Sequence, residues 1–351
     1  MLDRRITKKI RIGNRFIGGS ESVAIQSMTN TKTEDVQSTV NQIQKLAEEG
    51  CEIVRVAVPH VEAAKAILQI KKEISIPLVA DIHFNHILAI KALEAGADKI
   101  RINPGNIGSI DKVKRILHAS KEKNIPIRIG VNAGSLEKKI IQKNHGITTE
   151  GLVESAMNHI RIFEDFGFEN IVLSIKASNV PMTIQANRLL SEKTDYPIHL
   201  GVTEAGTPRL GILRSAIGIG TLLAEGIGDT IRVSLTGDPV NEVHAGYEIL
   251  KTLKLRQRGL TIISCPTCGR THMNIPSLVE KVEKALPQGN KPVTIAIMGC
   301  EVNGPGEAKE ADIGIACGKG TALLFKKGKA IRKIKEKDIM ESLLTEIKNW
   351  A

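Results

Sequence analysis

Short β-branched runs alternate with longer amphipathic stretches through the first three quarters of the chain. Eight runs read as strands: Val23–Thr29, Ile53–Val58, Leu78–His83, Lys99–Asn103, Ile127–Val131, Ile171–Ala177, His199–Glu204 and Thr230–Leu235. Between them apolar residues recur at helical spacing. Asp35–Glu49 places Val36, Val40, Ile43 and Leu46 on one face. Val61–Ile70, His86–Ala95, Lys112–Lys123, Leu152–Phe166, Thr183–Leu190, Pro208–Ala224 and Pro239–Leu253 follow the same period. Several of these stretches stop at glycine, as in EEG, EAGAD and AEGIGD, where glycine takes the left-handed position that ends a helix.

Parallel strands need a crossover connection, so strict βα alternation implies a parallel sheet. Eight units in about 250 residues fit a closed (β/α)8 TIM barrel. The alternative, a doubly wound open sheet, lacks a Gly-x-Gly-x-x-Gly turn after the first strand. From Arg256 onward the pattern changes. Strands are expected at Thr294–Met298, Ile313–Ala316 and Thr321–Phe325, with helices at Ile275–Ala285 and Asp338–Trp350. The chain therefore reads as a barrel over residues 1–255 and a small α+β domain over 256–351.

Apolar residues make up 42% of the 351, enough for a sizeable core. Aromatics are 3%, which argues against binding single strands by base stacking. The net charge of +11 points to anionic partners: nucleic acid, phosphorylated small molecules or an acidic protein. Over half of that excess falls in residues 256–351, which hold sixteen Lys or Arg and ten Asp or Glu. The basic start, MLDRRITKKIRIGNRF, lacks a following apolar segment, and no apolar run approaches the ~20 residues that span a bilayer. A cytoplasmic protein with no membrane partner is expected. In that compartment five cysteines read as metal ligands or redox groups before disulfides.

Cys265-Pro-Thr-Cys268-Gly is a Cys-x-x-Cys turn whose two thiolates reach one metal ion. Cys300 follows a strand within MGCEVNGPGE, where glycines and proline allow a tight turn. The fourth ligand is open between the carboxylate of Glu307 and Cys317, although a cysteine in the apolar run IGIAC is more often a small buried hydrophobe. Cys51 reads as core. An iron–sulfur cluster, a zinc knuckle and a dithiol redox pair all remain open. Zinc would want a second short-spaced cysteine pair, which is absent, and the distant third cysteine does not suit a dithiol.

Several strands carry polar residues within or just after their apolar runs: Arg55, Asp81, His83, Arg101, Asn103, Arg128, Asn132, Lys176, Glu204, Arg232 and Ser234. The C-terminal ends of parallel barrel strands build the active site. Five cations on five strands exceed what Asp81 and Glu204 neutralise, so the missing anion is the ligand, and arginine forks suit more than one phosphate. Asn103–Asn106 and Thr236–Pro239 read as loops able to present backbone N–H groups to phosphate. Asp81, His83 and Glu204 are the groups placed for proton transfer.

The motifs QSMTNT (26–31), VADIHF (79–84), RINPGN (101–106), GVTEAG (201–206), SLTGDP (234–239), CPTCGR (265–270) and MGCEVNGPGEA (298–308) resemble, in order and over essentially the whole chain, the bacterial 4-hydroxy-3-methylbut-2-enyl diphosphate synthase family of the methylerythritol phosphate route to isoprenoids. The resemblance implies a TIM barrel followed by a domain holding a [4Fe–4S] cluster on Cys265, Cys268, Cys300 and Glu307. It implies reductive opening of 2-C-methyl-D-erythritol 2,4-cyclodiphosphate with two electrons from flavodoxin or ferredoxin. Arg55, Arg101, Arg128 and Lys176 match the diphosphate-holding positions. Asp81, Asn132, Glu204, Arg232 and Ser234 match other substrate contacts, with Glu204 as proton source. A head-to-tail homodimer is implied, the cluster domain of one chain over the barrel of the other, in the short two-domain form. The basic run Lys326–Lys337 then reads either as a dock for the acidic carrier or as a solvated face. The rival reading, a nucleic-acid-binding protein with a zinc knuckle, rests on the charge alone.

Overall fold

The computed structural model describes residues 3–285, 292–300, 302, 306 and 311–349. The chain divides into two compact units, Met1–Arg256 and Gln257–Ala351.

The first unit begins with an antiparallel hairpin, β1 (Ile10–Ile12) and β2 (Arg15–Ile17). Eight parallel strands follow: β3 (Ala24–Met28), β4 (Ile53–Ala57), β5 (Leu78–Asp81), β6 (Lys99–Ile102), β7 (Ile127–Asn132), β8 (Ile171–Lys176), β9 (His199–Leu200) and β10 (Thr230–Ile231). They pair in the order β8-β7-β6-β5-β4-β3-β10-β9. A parallel bridge between Leu173 and Ile198 joins β8 to the approach to β9 and closes the ring. The connecting helices are α1 (Val36–Glu48), α2 (Val61–Glu73), α3 (His86–Glu94), α4 (Pro104–Ile107), α5 (Ile110–Glu122), α6 (Lys138–Lys143), α7 (Thr149–Asp165), α8 (Val180–Lys193), α9 (Pro208–Ala224) and α10 (Val240–Thr252). The eight-stranded barrel expected from the sequence is the observed fold.

Local signals explain where the helices start and stop. Asp35, Asn85, Thr148 and Asn179 each accept a backbone N–H with the side chain and so satisfy an otherwise orphaned donor. Gly96, at φ +94°, ends α3. Strand positions alternate between two environments. Ile25, Val54, Ile100, Ile127 and Ile129 point outward into the layer shared with the helices. Ala24, Ile53, Val79 and Val172 point inward and pack on Ile10, Ile12 and Ile17, so the hairpin plugs the N-terminal end of the barrel with an apolar floor. Above that floor the inward positions turn polar.

The second unit is a five-stranded sheet in the order β11 (Leu260–Ser264), β12 (Val293–Met298), β13 (Ile313–Cys317), β14 (Thr321–Lys326), β15 (Lys329–Lys335). The first three are parallel and the last two antiparallel. Helices α11 (Ile275–Ala285) and α12 (Ile339–Lys348) bury Ile275, Leu278, Val282, Ile339 and Leu343 against Ile295, Ile297, Ile313 and Ile315. The hairpin, β11 and β15 go beyond the expected elements. Asn103–Asn106, expected as a loop, instead opens α4: Asn103 caps it and Pro104 starts it. Among the described residues no helix is long and apolar enough to cross a membrane.

Candidate functional site

Inward positions two residues apart on β4 to β10 carry Arg55, Asp81, Lys99, Arg101, Arg128, Lys176, His199 and, just past β10, Arg232. Branched apolar residues are the usual filling of such a barrel. Here Lys99 and Arg128 are 0% and 1% exposed, and Arg55, Arg101, Lys176 and His199 are also buried. Six cations face two buried carboxylates, Asp81 and Glu242.

Asp81 sits at the hub. Arg101 Nη1 donates to Oδ1 at 3.1 Å, while Arg55 Nε and His83 Nε2 lie 3.8 and 3.4 Å from Oδ2. Burial pushes this carboxyl up, but Arg55, the His83 hydrogen bond and Arg101 together outweigh it and hold it well below the usual carboxylate range. Arg55 also donates from Nε to Met28 Sδ at 3.1 Å. Burial, with Arg232 and Arg101 nearby, pushes the Arg55 guanidinium down to about 10 despite Asp81.

Deeper in, charge compensation fails. Burial, reinforced by the neighbouring cations, lowers Lys99, Arg128 and Lys176 well below their ordinary values. Lys176 Nζ lies 3.4 Å from His199 Nε2, and His199 Nδ1 lies 2.8 Å from Thr230 Oγ1. Burial and then Arg128 and Lys176 hold His199 well below its ordinary range, so the ring is neutral. Lys99 Nζ, Arg128 Nε and Nη1, and both amide atoms of Gln26 have no hydrogen-bond partner among the described residues. Unsatisfied buried donors are costly, and a polyanion is the ligand that satisfies several at once.

Glycine makes the room. A Cβ on Gly130 would meet Arg101 Nε at 2.6 Å, and one on Gly201 would meet Lys176 Nζ at 2.5 Å. These two positions on the barrel wall are kept bare so that long cationic side chains cross the interior.

The sequence-predicted cations Arg55, Arg101, Arg128, Lys176 and Arg232 come together with Asp81. His83 is exposed but reaches Asp81. Asn132 and Ser234 are half-buried at strand ends, and Asn132 is in register with Lys176. Glu204 is exposed, beyond β9, in the left-handed region at φ +53°, which is uncommon for a side chain of this kind. The second carboxylate inside the cation cluster is Glu242 rather than Glu204. Lys99, His199, Gln26 and Glu242 escaped the sequence reading. The same-face spacing of Lys99 with Arg101 and of His199 with Gly201 was the available signal.

In the second unit, β11 and β12 end side by side, and Cys265 and Cys300 follow those ends. Gly299 N–H donates to Cys265 Sγ at 3.1 Å, and a Cβ on Gly299 would lie 3.0 Å from that sulfur. Thr271 N–H donates to the Cys268 carbonyl at 3.0 Å, and His272 N–H to the Gly299 carbonyl at 3.1 Å. The CPTCG turn and the Met298–Cys300 turn are thus stitched together by backbone bonds. Cys268 is exposed, and Cys265 and Cys300 are half-buried. Among the described residues no three His, Cys, Asp or Glu side chains stand ready around one metal position, and Glu307 lies outside the described residues. A thiol donor set at two glycine-bearing turns, with a backbone N–H aimed at sulfur, fits an iron–sulfur cluster. Cys317 is 0% exposed among the core of this unit, and burial pushes its thiol up to about 12. Burial also pushes Cys51 up to about 12. Both thiols sit in apolar surroundings, as small core residues do.

Residues 7–247 match the family described as GcpE TIM-barrel domain, and residues 261–349 the one described as GcpE protein C-terminal domain. A protein of Caldanaerobacter subterraneus subsp. tengcongensis named 4-hydroxy-3-methylbut-2-en-1-yl diphosphate synthase (flavodoxin) is 59% identical over 99% of this chain and 98% of its own length. One of the same name from Clostridium tetani is 57% identical over 99% of this chain and 100% of its own. Among solved structures, dihydropteroate synthase from Stenotrophomonas maltophilia superposes with a TM-score of 0.52 at 16% identity, covering 71% of this chain and 97% of that one. The Vibrio fischeri 7,8-dihydropteroate synthase gives 0.52 at 13%, covering 70% and 98%. At such identities the likeness is one of fold alone.

Proposed function

The chain belongs to the GcpE family, and from that premise we propose that it is a 4-hydroxy-3-methylbut-2-en-1-yl diphosphate synthase that draws electrons from flavodoxin. The substrate is 2-C-methyl-D-erythritol 2,4-cyclodiphosphate. Two electrons and two protons open its ring and release one water, leaving the allylic diphosphate. The observation that carries the reading is the set of six cations around two carboxylates inside the barrel, with Lys99 and Arg128 left short of partners. The nucleic-acid alternative finds no support in the family matches.

Arg55, Arg101, Arg128 and Lys176 grip the diphosphate. Arg232 and Ser234 make other substrate contacts from the β10 side, and Asn132 from the β7 side. Asp81 keeps Arg55 and Arg101 aimed inward, and its contact with His83 makes that pair the one placed for proton transfer. Glu204 delivers the proton that leaves with the departing oxygen. Cys265, Cys268, Cys300 and Glu307 hold a [4Fe–4S] cluster. When bound, this group supplies the electrons and a Lewis-acidic iron for C–O cleavage. Glu307 completes the ligand set as a carboxylate, a weaker ligand than thiolate. Two copies associate head to tail in the cytoplasm, so that the cysteine-bearing unit of one chain covers the barrel mouth of the other and excludes water.

The test is anaerobic incubation of the reconstituted protein with the cyclic diphosphate and reduced flavodoxin, with the product read by mass spectrometry. The expected product is the allylic diphosphate. Intact substrate after full reduction of a reconstituted sample contradicts the assignment.

A further inference from the structure

We propose that the edge strand β15 is the surface on which the electron carrier docks, the occupant being a small acidic protein of the flavodoxin type. This deepens the functional reading above and rests on it. The stretch 326–337 holds seven Lys or Arg and one acid, Glu336. In the fold it becomes the end of β14, a tight turn and all of β15. Along β15 only Ile334 is buried, while Lys329, Arg332, Lys333 and Lys335 are exposed, as is Lys337 beyond it. None of these five makes an ion pair among the described residues, whereas Lys326 is engaged by Glu346 at 3.5 Å. Ile331 stands 53% exposed in their midst.

Sheet edges often carry a lysine or two to prevent pairing with another sheet. Five unpaired cations around an exposed isoleucine exceed that need. A basic rim around a small apolar centre is the composition of a transient, charge-steered interface.

Position supplies the second argument. Through the sheet, Met298 is in register with Ala316, Ala316 with Leu323, and Leu323 with Lys333. Lys333 therefore stands three strand spacings, about 14 Å, from the strand that leads into Cys300. Because β15 runs parallel to β12, Lys335 and Lys337 lie toward the end of the sheet that carries Cys265 and Cys300. A carrier bound on this edge delivers electrons to the end where the thiols are.

The experiment compares the reconstituted holoenzyme with its K329E/K333E/K335E variant, using two electron donors. One is purified reduced flavodoxin and the other is reduced methyl viologen, which needs no protein dock. The proposal expects KM for flavodoxin to rise about tenfold or more at low salt, with a flattened salt dependence and unchanged viologen-driven turnover. An unchanged KM for flavodoxin overturns it. If the glutamates cost the cluster its absorbance, K329Q/K333Q/K335Q decides: a KM raised several-fold supports the dock, and an unchanged one overturns it. Duplex DNA retarded by the wild type but not by the variant, with KM unchanged, assigns the edge to nucleic acid and also overturns it. Failure of the wild type with both donors brings down the functional reading itself, and this surface with it.

Discussion

Glu242, in the first turn of α10, closes a two-pronged ion pair on Arg232: Nη2 to Oε1 at 3.1 Å and Nε to Oε2 at 3.2 Å. The same carboxylate accepts from Ser27 Oγ at 2.9 Å and from the Leu235 N–H at 3.1 Å. One buried acid thereby ties β3, the end of β10 and α10 together, and it fixes the direction of a guanidinium at the barrel mouth.

Glu242→Gln keeps the volume and removes the charge. Its expected effect is a KM for the cyclic diphosphate raised about tenfold with little change in kcat, because Arg232 loses its aim rather than its charge. Urea unfolding of the ligand-free protein should show a loss of about 3 kcal/mol, the scale of a buried pair left with one partner. Unchanged KM and stability would remove Glu242 from the account.

Gly130→Ala places a methyl where Arg101 crosses the barrel, with Nε 2.6 Å away and no backbone in the way. Arg101 must leave Asp81 to make room. The fold should survive with a small drop in thermal midpoint, while substrate affinity falls about tenfold, one charge-assisted contact. Titration calorimetry with inorganic pyrophosphate checks this without turnover.

Pyrophosphate should also draw protons into the protein. Burial and then neighbouring cations lower Lys99, Lys176 and His199, so the ligand-free barrel biases each toward its neutral form. An arriving polyanion raises all three, and protons bind with it. At pH 7 to 8, calorimetry in two buffers of different ionisation enthalpy should give different heats. Equal heats would show that the cluster is fully charged before binding.

Asp81 sets an acid limit on stability. Its folded carboxyl is depressed, so its contribution is fully present above the unfolded value of about 3.9 and is lost as pH falls below it. Asp81→Asn should therefore be less stable than the wild type at pH 7, and the gap should narrow below about pH 4. Thermal melts from pH 3 to 7 read this directly. A gap that is constant with pH would contradict it.

Cys317→Ser should leave a spectroscopically normal cluster, since that thiol is sealed in the core of the second unit. Glu307→Ala and Cys265→Ser should each perturb it. Collapse of the cluster in the Cys317 variant would reverse the ligand assignment.

The barrel was legible because parallel strands covered on both sides read as continuous apolar runs, such as Ile171–Lys176, separated by helical periods. The hairpin was not, because each of its strands is three residues long and its basic neighbours hide the apolar positions Ile10, Ile12 and Ile17. Strand β15 was hidden in the same way: charged residues stand on both of its faces, and Ile334 alone is buried. Within the site, residues at strand ends were found because polarity there breaks an apolar run. Lys99 sits at a strand start, where a lysine is unremarkable until its inward register is known. Glu242 belongs to a helix and reaches the cluster only through the fold.

The account stands or falls on iron-dependent turnover. The same preparation should be assayed anaerobically with the cyclic diphosphate and a reductant, first with its iron and sulfide removed and then after both are restored. The account predicts no allylic diphosphate from the stripped protein and its appearance on reconstitution. Full conversion by iron-free protein would contradict it.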